Sequence, residues 1–284
     1  DKVKKYRSIG QMYLDYAFPV DGLSLRGELS YDFIQNNSEL WVSETINRDG
    51  RSYAYDRAVS YLGLNYNLVA NYNKTFGDHS IQAVLGTESH SKGRQSRNME
   101  GKDLIGHYKE LGNPQTRLKM TSRYGDERYL RAFFSRATYK LKDRYMLGFS
   151  FRTDGSSKFK QDYRWGYFPA VKAGWVLTDE PFMKNVDILS LIKFRGSYGI
   201  TGNQSIPPNK TETVYDNVAG ARYGHQSVIG AGTVIENIGN PTITWETTNE
   251  FEIGLDYGLV DNRINGSMAY YVQNVTDLLL KASI

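Results

Sequence analysis

The stretch LSLRGELSYDF (residues 23–33) decides the fold class, because apolar and polar side chains alternate along its whole length. Successive side chains of a β-strand point to opposite sides of the sheet, so a period of two predicts a strand with one apolar face. Leucines and aromatic residues would share that face. The other face would carry the hydrophilic side chains of Ser24, Arg26, Glu28, Ser30 and Asp32.

The same alternation recurs on both sides of this stretch and predicts an all-β, antiparallel chain of about ten strands. Most of these strands are near ten residues long, which exceeds the five or six residues typical of globular proteins. The predicted pairs are 11–18 with 23–33, 60–72 with 80–89, 129–141 with 145–152, 168–177 with 190–199, and 245–257 with 263–275. A short helical turn is predicted at 178–185.

The composition agrees with this fold class and excludes several others. The 284 residues include 22 Tyr, 12 Phe and 4 Trp, but only 7 Pro and no Cys. Such aromatic enrichment favours strands over helices. No run of about 18 apolar residues predicts a transmembrane helix. The 35 basic and 31 acidic residues are mixed along the chain, whereas nucleic-acid binding usually needs clustered Lys and Arg, so we predict no nucleic-acid partner.

The predicted connections differ in length. Short turns near 21–22, 142–143 and 261–262 alternate with long polar connections at 90–127 and 200–243. This asymmetry is typical of an outer-membrane barrel, whose extracellular loops are long and whose periplasmic turns are short. Strands of a secreted β-sandwich also alternate, so a soluble glycan-binding sandwich is the alternative. Strand length and aromatic residues near the strand ends favour the barrel.

In a barrel the apolar side chains face outer-membrane lipid and the polar side chains line the lumen. The lumen-facing candidates are Arg26, Glu28, Asp32, Asn65, Asn67, Asn71, Arg152, Lys193, Arg195, Glu250, Glu252 and Asp256. The long connections are the expected sites of substrate and partner contact. Tyr215, Tyr223 and Trp245 lie in or beside them and offer rings that could stack on sugars.

No motif for catalysis or cofactor binding is found. The sequence has no nucleophile elbow, phosphate-binding loop or EF-hand pattern, the four histidines are scattered, and cysteine is absent. We therefore predict no catalytic residue, no metal site and no cofactor. An outer-membrane enzyme is a third alternative, in which Glu250 and Glu252 on one strand face would serve as general acid and base.

Five segments occur in an order that resembles a known family. They are FRTDGSSKF (151–159), RWGYFPAVKAGW (164–175), DEPFM (179–183), KFRGSYGITGNQ (193–204) and NPTITWETTNEFEIGLDYGLVDNRINGSMAYYVQNVTDLLL (240–280). The series resembles the C-terminal barrel of the SusC/RagA family of TonB-linked outer-membrane proteins of Bacteroidetes. One segment alone would be a weak signal, but five in order span more than 120 residues.

The resemblance implies TonB-dependent import through a barrel of about 22 strands that holds a plug. It also implies a SusD-like surface lipoprotein as partner, a glycan or peptide as nutrient, and location in the Gram-negative outer membrane. We find no plug and no TonB-contacting segment in residues 1–284. Because unpaired strand edges are not tolerated in lipid, we expect these residues to be one section of a longer barrel.

Overall fold

The computed structural model describes residues 2–48, 50–104, 111, 117–124, 127–183, 185–207, 209–223 and 230–280. These residues form thirteen strands and three short 3-10 turns at 161–163, 177–179 and 181–183. The strands are β1 (Lys2–Ala17), β2 (Leu23–Val42), β3 (Tyr53–Phe76), β4 (His79–Lys102), β5 (Arg117–Tyr124), β6 (Arg128–Leu141), β7 (Tyr145–Ser156), β8 (Trp165–Val176), β9 (Leu189–Asn203), β10 (Val214–Tyr223), β11 (Gly230–Asn237), β12 (Glu246–Leu259) and β13 (Ile264–Thr276).

Eleven strands form one sheet in the order β1-β2-β3-β4-β6-β7-β8-β9-β12-β13, and β5 pairs with β4 beside this path. The remaining strands, β10 and β11, form a separate antiparallel hairpin. Strands adjacent in the chain are mostly neighbours in the sheet, and the pairs from β6 to β13 run antiparallel. The all-β, antiparallel prediction is therefore confirmed.

All ten predicted strands are present, and most are longer than predicted; the segment 60–72, for example, lies inside β3. The two predicted long connections differ from the prediction, because each contains strands. β4 continues to Lys102 and pairs with β5, and the hairpin of β10 and β11 lies within 200–243. The surrounding polar residues and glycines led to the prediction of connections, whereas the backbone pairing identifies these segments as strands. Parts of both segments lie outside the described residues, and their extracellular position stays a prediction.

The connections alternate between short and long along the sheet. β1–β2, β3–β4, β6–β7 and β12–β13 are joined by two to five residues, at 18–22, 77–78, 142–144 and 260–263. The first turn requires glycine, because Gly22 has φ +83° and a Cβ there would lie 2.0 Å from the carbonyl oxygen of Asn73. We call this set, with the connection 177–188 between β8 and β9, the short-turn edge.

One face of the sheet exposes large apolar side chains on neighbouring strands. Leu147 of β7, Val171 of β8 and Phe194 of β9 are between 45% and 58% exposed. In a soluble sandwich this face would be buried against a second sheet. Exposure of one apolar face across successive strands is instead what a lipid-facing surface requires. Within the described ranges, no helix has the length and apolar character needed to cross a membrane.

The chain divides into two compact units. The first contains residues 1–13, 28–66 and 89–129, and the second contains 14–27, 67–88 and 130–284. In the second unit Phe159, Phe168 and Trp245 form a buried cluster, against which Leu130, Ile200, Ile206 and Ile243 pack. This cluster lies where the connections β7–β8 and β9–β12 meet the sheet, so it fixes those connections and not the strands below them.

Candidate functional site

The face opposite the exposed apolar side chains carries charged and small residues in cross-strand rows. One row contains Thr138, Gly148, Lys172, Ser197, Glu252 and Tyr271. The next row toward the short-turn edge contains Lys140, Met146, Gly174, Arg195, Gly254 and Ala269. We call this face of β6–β9, β12 and β13 the polar face.

Four of the predicted residues meet in one ion-pair cluster on the polar face. Arg195 donates from Nη1 to Glu252, and its Nε lies 3.4 Å from Oδ1 of Asp256. Lys193 Nζ lies 3.7 Å from the other carboxylate oxygen of Asp256. A Cβ on Gly254 would lie 2.7 Å from Cζ of Arg195, so glycine lets the guanidinium lie flat between its partners. Two cations and two carboxylates make this cluster neutral.

A second cluster surrounds Arg152 nearer the opposite end of β7. Its Nε donates to both carboxylate oxygens of Asp154 at 2.9 Å, and its Nη2 binds Glu88 of β4. The guanidinium also lies 5.8 Å from the ring centroid of Phe134. That ring occupies the space above Gly86, where a Cβ would lie 2.3 Å from it. Arg152 is thus held by two carboxylates and an aromatic ring, and its contacts link β7 to β4 and β6.

Two predicted residues of the first unit bind neighbours within that unit. Asp32 accepts hydrogen bonds of 3.0 and 2.9 Å from Arg7 of β1. Asn65 donates to Ser30 at 3.2 Å, and its Oδ1 lies 2.6 Å from Nδ1 of His90. Each contact joins adjacent strands, so these side chains brace the sheet.

The remaining lumen candidates lie apart from these clusters. Glu250 accepts a hydrogen bond from Gln273, and Arg26 lies 3.7 Å from Asp15. Asn67 has a buried Oδ1 that finds no hydrogen-bond partner among the described residues. Glu28 and Asn71 are half-buried. The twelve candidates therefore form several local groups instead of one site, and their position on a lumen wall stays a prediction.

The three predicted ring residues differ in accessibility. Tyr215 is 63% exposed on β10, where its backbone pairs with that of Ile235. The side chain of Tyr223 lies outside the described residues. Trp245 is only 4% exposed, and its Nε1 donates to the carbonyl oxygen of Arg164 at 2.9 Å. The prediction that Trp245 stacks on a sugar is wrong, because its ring packs inside the buried cluster.

One buried acidic residue at the short-turn edge escaped the sequence prediction. Glu180, which is 6% exposed, accepts hydrogen bonds from the Tyr145 hydroxyl, from Trp175 Nε1 at 2.9 Å and from Arg144 Nη1 at 2.8 Å. These donors, the Tyr145 hydroxyl first, lower the pKa of Glu180 below its ordinary value. Glu180 therefore joins the β6–β7 turn to the β8–β9 connection. The only sequence signal was an acidic residue in a short helical turn.

Three cations of the polar face were also missed. Arg136 and Lys140 flank Thr138 on β6, and Lys172 lies two strands away on β8. The alternation SRATYKL places Arg136, Thr138 and Lys140 on one strand face, so their shared face was predictable. Their proximity to Lys172 depends on strand register, which the alternation does not fix.

Comparison with known proteins gives a consistent family. The family model described as TonB dependent receptor-like, beta-barrel matches residues 3–284. TonB-dependent receptor P26 of Formosa agariphila is 29% identical over 287 residues, which cover 97% of this chain and 28% of that receptor. TonB-dependent receptor SusC of Bacteroides thetaiotaomicron is 28% identical over 297 residues, which cover 100% of this chain and 28% of SusC. The chain thus spans a little over a quarter of either relative.

A solved structure has the same fold. The RagAB peptide transporter structure aligns with a TM-score of 0.78 at 20% sequence identity, over 98% of this chain and 31% of that one. At this identity the likeness concerns the fold alone.

Proposed function

Because the chain belongs to the family of TonB-dependent receptor-like β-barrels, we propose that it forms part of the barrel wall of an outer-membrane nutrient importer. The observation that carries this proposal is the sheet itself. One face exposes apolar side chains on successive strands, and the opposite face carries ion pairs and small residues. A wall between lipid and an aqueous lumen needs both faces.

The strands at the two ends of the sheet support a longer barrel. β1 and β13 each have one neighbour among the described strands. An unpaired strand edge in hydrocarbon leaves backbone groups unsatisfied, each at a cost of several kcal/mol. We propose that these edges pair with strands of the remaining barrel, which would be consistent with relatives more than three times as long.

The partners follow from the family. We propose a SusD-like surface lipoprotein that closes over the barrel, a plug inside it, and TonB as the source of energy through that plug. The connections opposite the short-turn edge would receive the lipoprotein and the nutrient, an oligosaccharide or a peptide. The folded hairpin of β10 and β11, with Tyr215 exposed, supports this location.

The two alternatives have less support. A secreted β-sandwich would cover its apolar face with a second sheet, and here that face is exposed on β7, β8 and β9. For an outer-membrane enzyme, Glu250 and Glu252 would have to act together. Glu252 instead binds Arg195, and Glu250 binds Gln273 on the outer neighbour strand.

Import can be tested with the full-length chain in the bacterium that encodes it. A strain lacking this chain would be grown on single oligosaccharides and on peptides, beside the parent strain and a strain lacking TonB. We expect the two mutants to fail on the same nutrient and a tagged full-length chain to copurify with a lipoprotein from detergent extracts. Growth of the TonB mutant on a nutrient that the deletion strain cannot use would contradict TonB-driven import.

A further inference from the structure

Three cations converge on the polar face, and we infer that Arg136, Lys140 and Lys172 bind a carboxylate or phosphate group of the imported nutrient. This inference rests on the proposed function, because it takes the polar face as the wall of the nutrient's path. It goes beyond that function by naming the chemical class of the ligand, an anion.

The convergence is a consequence of one glycine. Gly148 lies between Thr138 of β6 and Lys172 of β8 in the same cross-strand row. A Cβ at position 148 would lie 2.6 Å from Cε and 2.8 Å from Cγ of Lys172, so the lysine stem runs across Gly148 toward β6. Arg136 and Lys140 flank Thr138 on the same face of that strand. The ammonium group of Lys172 is therefore directed toward the two other cations.

Within the residues that the structure describes, these cations differ from their neighbours in lacking counterions. Lys193 and Arg195, on the next strand, pair with Asp256 and Glu252. None of the three converging cations has an ion pair with any acidic residue in the described part of the chain, and Arg136 and Lys172 are exposed. Cations brought together without a counterion raise the local potential and attract anions.

The space above the cations suits a small ligand. A cavity of about 470 Å³ is lined by all three cations, by Gly148 and Gly174, and by the ion-paired Lys193, Arg195 and Glu252. A second cavity of about 220 Å³ continues it along the same strands and shares Arg136 and Lys172. Small-molecule sites commonly measure about 300–1,000 Å³. Glu252 in the lining of the larger cavity is paired with Arg195, and Glu250 in the lining of the smaller one accepts a hydrogen bond from Gln273. The three cations without an ion pair in the described part of the chain are therefore the groups that would attract an anion.

The test uses the full-length chain, purified in detergent, and two trisaccharide probes. Tri-galacturonate carries three carboxylates, whereas maltotriose is neutral. Calorimetric titration should detect binding of tri-galacturonate only, and raising the salt concentration should weaken that binding by screening. Lys172→Gln should lower the affinity about threefold to fivefold, as for an exposed charge pair. The triple variant Arg136→Gln, Lys140→Gln and Lys172→Gln should lower it about 30-fold or more if the contributions add.

Two further variants keep the result interpretable. Gly148→Ala retains every charge but displaces Lys172, and it should weaken binding as Lys172→Gln does. Arg131→Gln removes a cation from the opposite face of β6 and should leave binding unchanged. A thermal unfolding transition establishes that each variant is folded. If the triple variant is not folded, the affinity of the Lys172→Gln variant decides whether the cations bind the anion.

Equal binding of both trisaccharides, or no binding of tri-galacturonate, would overturn the inference, as would unchanged affinity in Lys172→Gln. The inference would also be overturned if the triple variant lost thermal stability and the parent chain did not bind tri-galacturonate. The cations would then hold another part of the longer chain. None of these results changes the outcome of the growth test of import. Likewise, a growth test that shows no TonB dependence would not change the result of the titration.

Discussion

Replacing Trp245 by alanine should release the β7–β8 connection from the sheet. The indole lies 5.3 Å from the ring of Phe159 and 5.4 Å from that of Phe168, and it donates to the carbonyl oxygen of Arg164. Truncating a buried aromatic side chain to alanine costs about 3–5 kcal/mol. Trp245→Phe keeps most of the packing but loses the hydrogen bond, which costs about 1–3 kcal/mol when the acceptor stays buried.

Hydrogen exchange on the full-length chain in detergent measures this local effect. Because about 1.4 kcal/mol corresponds to a factor of ten, amides of residues 157–164 should lose about two to three and a half orders of magnitude of protection in Trp245→Ala. Trp245→Phe should lose less, and Tyr215→Ala, at an exposed ring, should lose none. A decrease below about tenfold in Trp245→Ala, or an equal decrease in Tyr215→Ala, would refute the assignment of Trp245 as the centre of the cluster.

Three further substitutions test other contacts through the melting temperature of the full-length chain. The lowered pKa of Glu180 means that its stabilisation is present above the usual glutamate pKa and is lost as the pH falls through the lowered value. The Glu180→Gln variant should therefore have a lower melting temperature at neutral pH, and its melting temperature should lack this acid dependence. Identical pH profiles of the melting temperature in the variant and the parent chain would contradict the stabilising role of the Glu180 carboxylate. Gly86→Ala should cost about 1–3 kcal/mol because its Cβ meets the Phe134 ring, whereas Gly27→Ala, with 3.8 Å of space, should be neutral; equal effects would contradict the steric argument. Val260 has φ +50°, so Val260→Gly should stabilise the chain by about 1 kcal/mol, and a lower melting temperature would exclude strain there.

The strands and their two faces were predictable because both depend on a period of two that is local to each segment. β5 was missed although RLKMTSRY alternates, with Leu118, Met120 and Tyr124 at positions of one face. The segment is short and lies within the polar stretch 90–127, and its pairing with β4 is what identifies it as a strand. The hairpin of β10 and β11 was missed for a related reason, because glycine and asparagine in both strands weaken the alternation.

The side-chain clusters were less predictable than the strands. Arg195 and Glu252 are 57 positions apart, and their contact depends on the register between β9 and β12. Alternation places each residue on a face but does not set that register. Trp245 follows a polar connection and was expected to be accessible, yet it is buried by Phe159 and Phe168, which come from segments more than 70 residues earlier.

Gly254 and Gly148, which lie beneath the side chains of Arg195 and Lys172, also affect the register in which the strands pair. A slip of two residues keeps apolar and polar side chains on their proper faces, so hydrophobicity does not oppose it. Such a slip would put Arg195 opposite Glu252 or Asp256 instead of Gly254, and Lys172 opposite Met146 or Ser150 instead of Gly148. Each long side chain would then meet a Cβ in the space that it now occupies. These glycines therefore disfavour two-residue register slips, which the apolar pattern does not oppose. Such register control is useful to strands that assemble with one face in lipid.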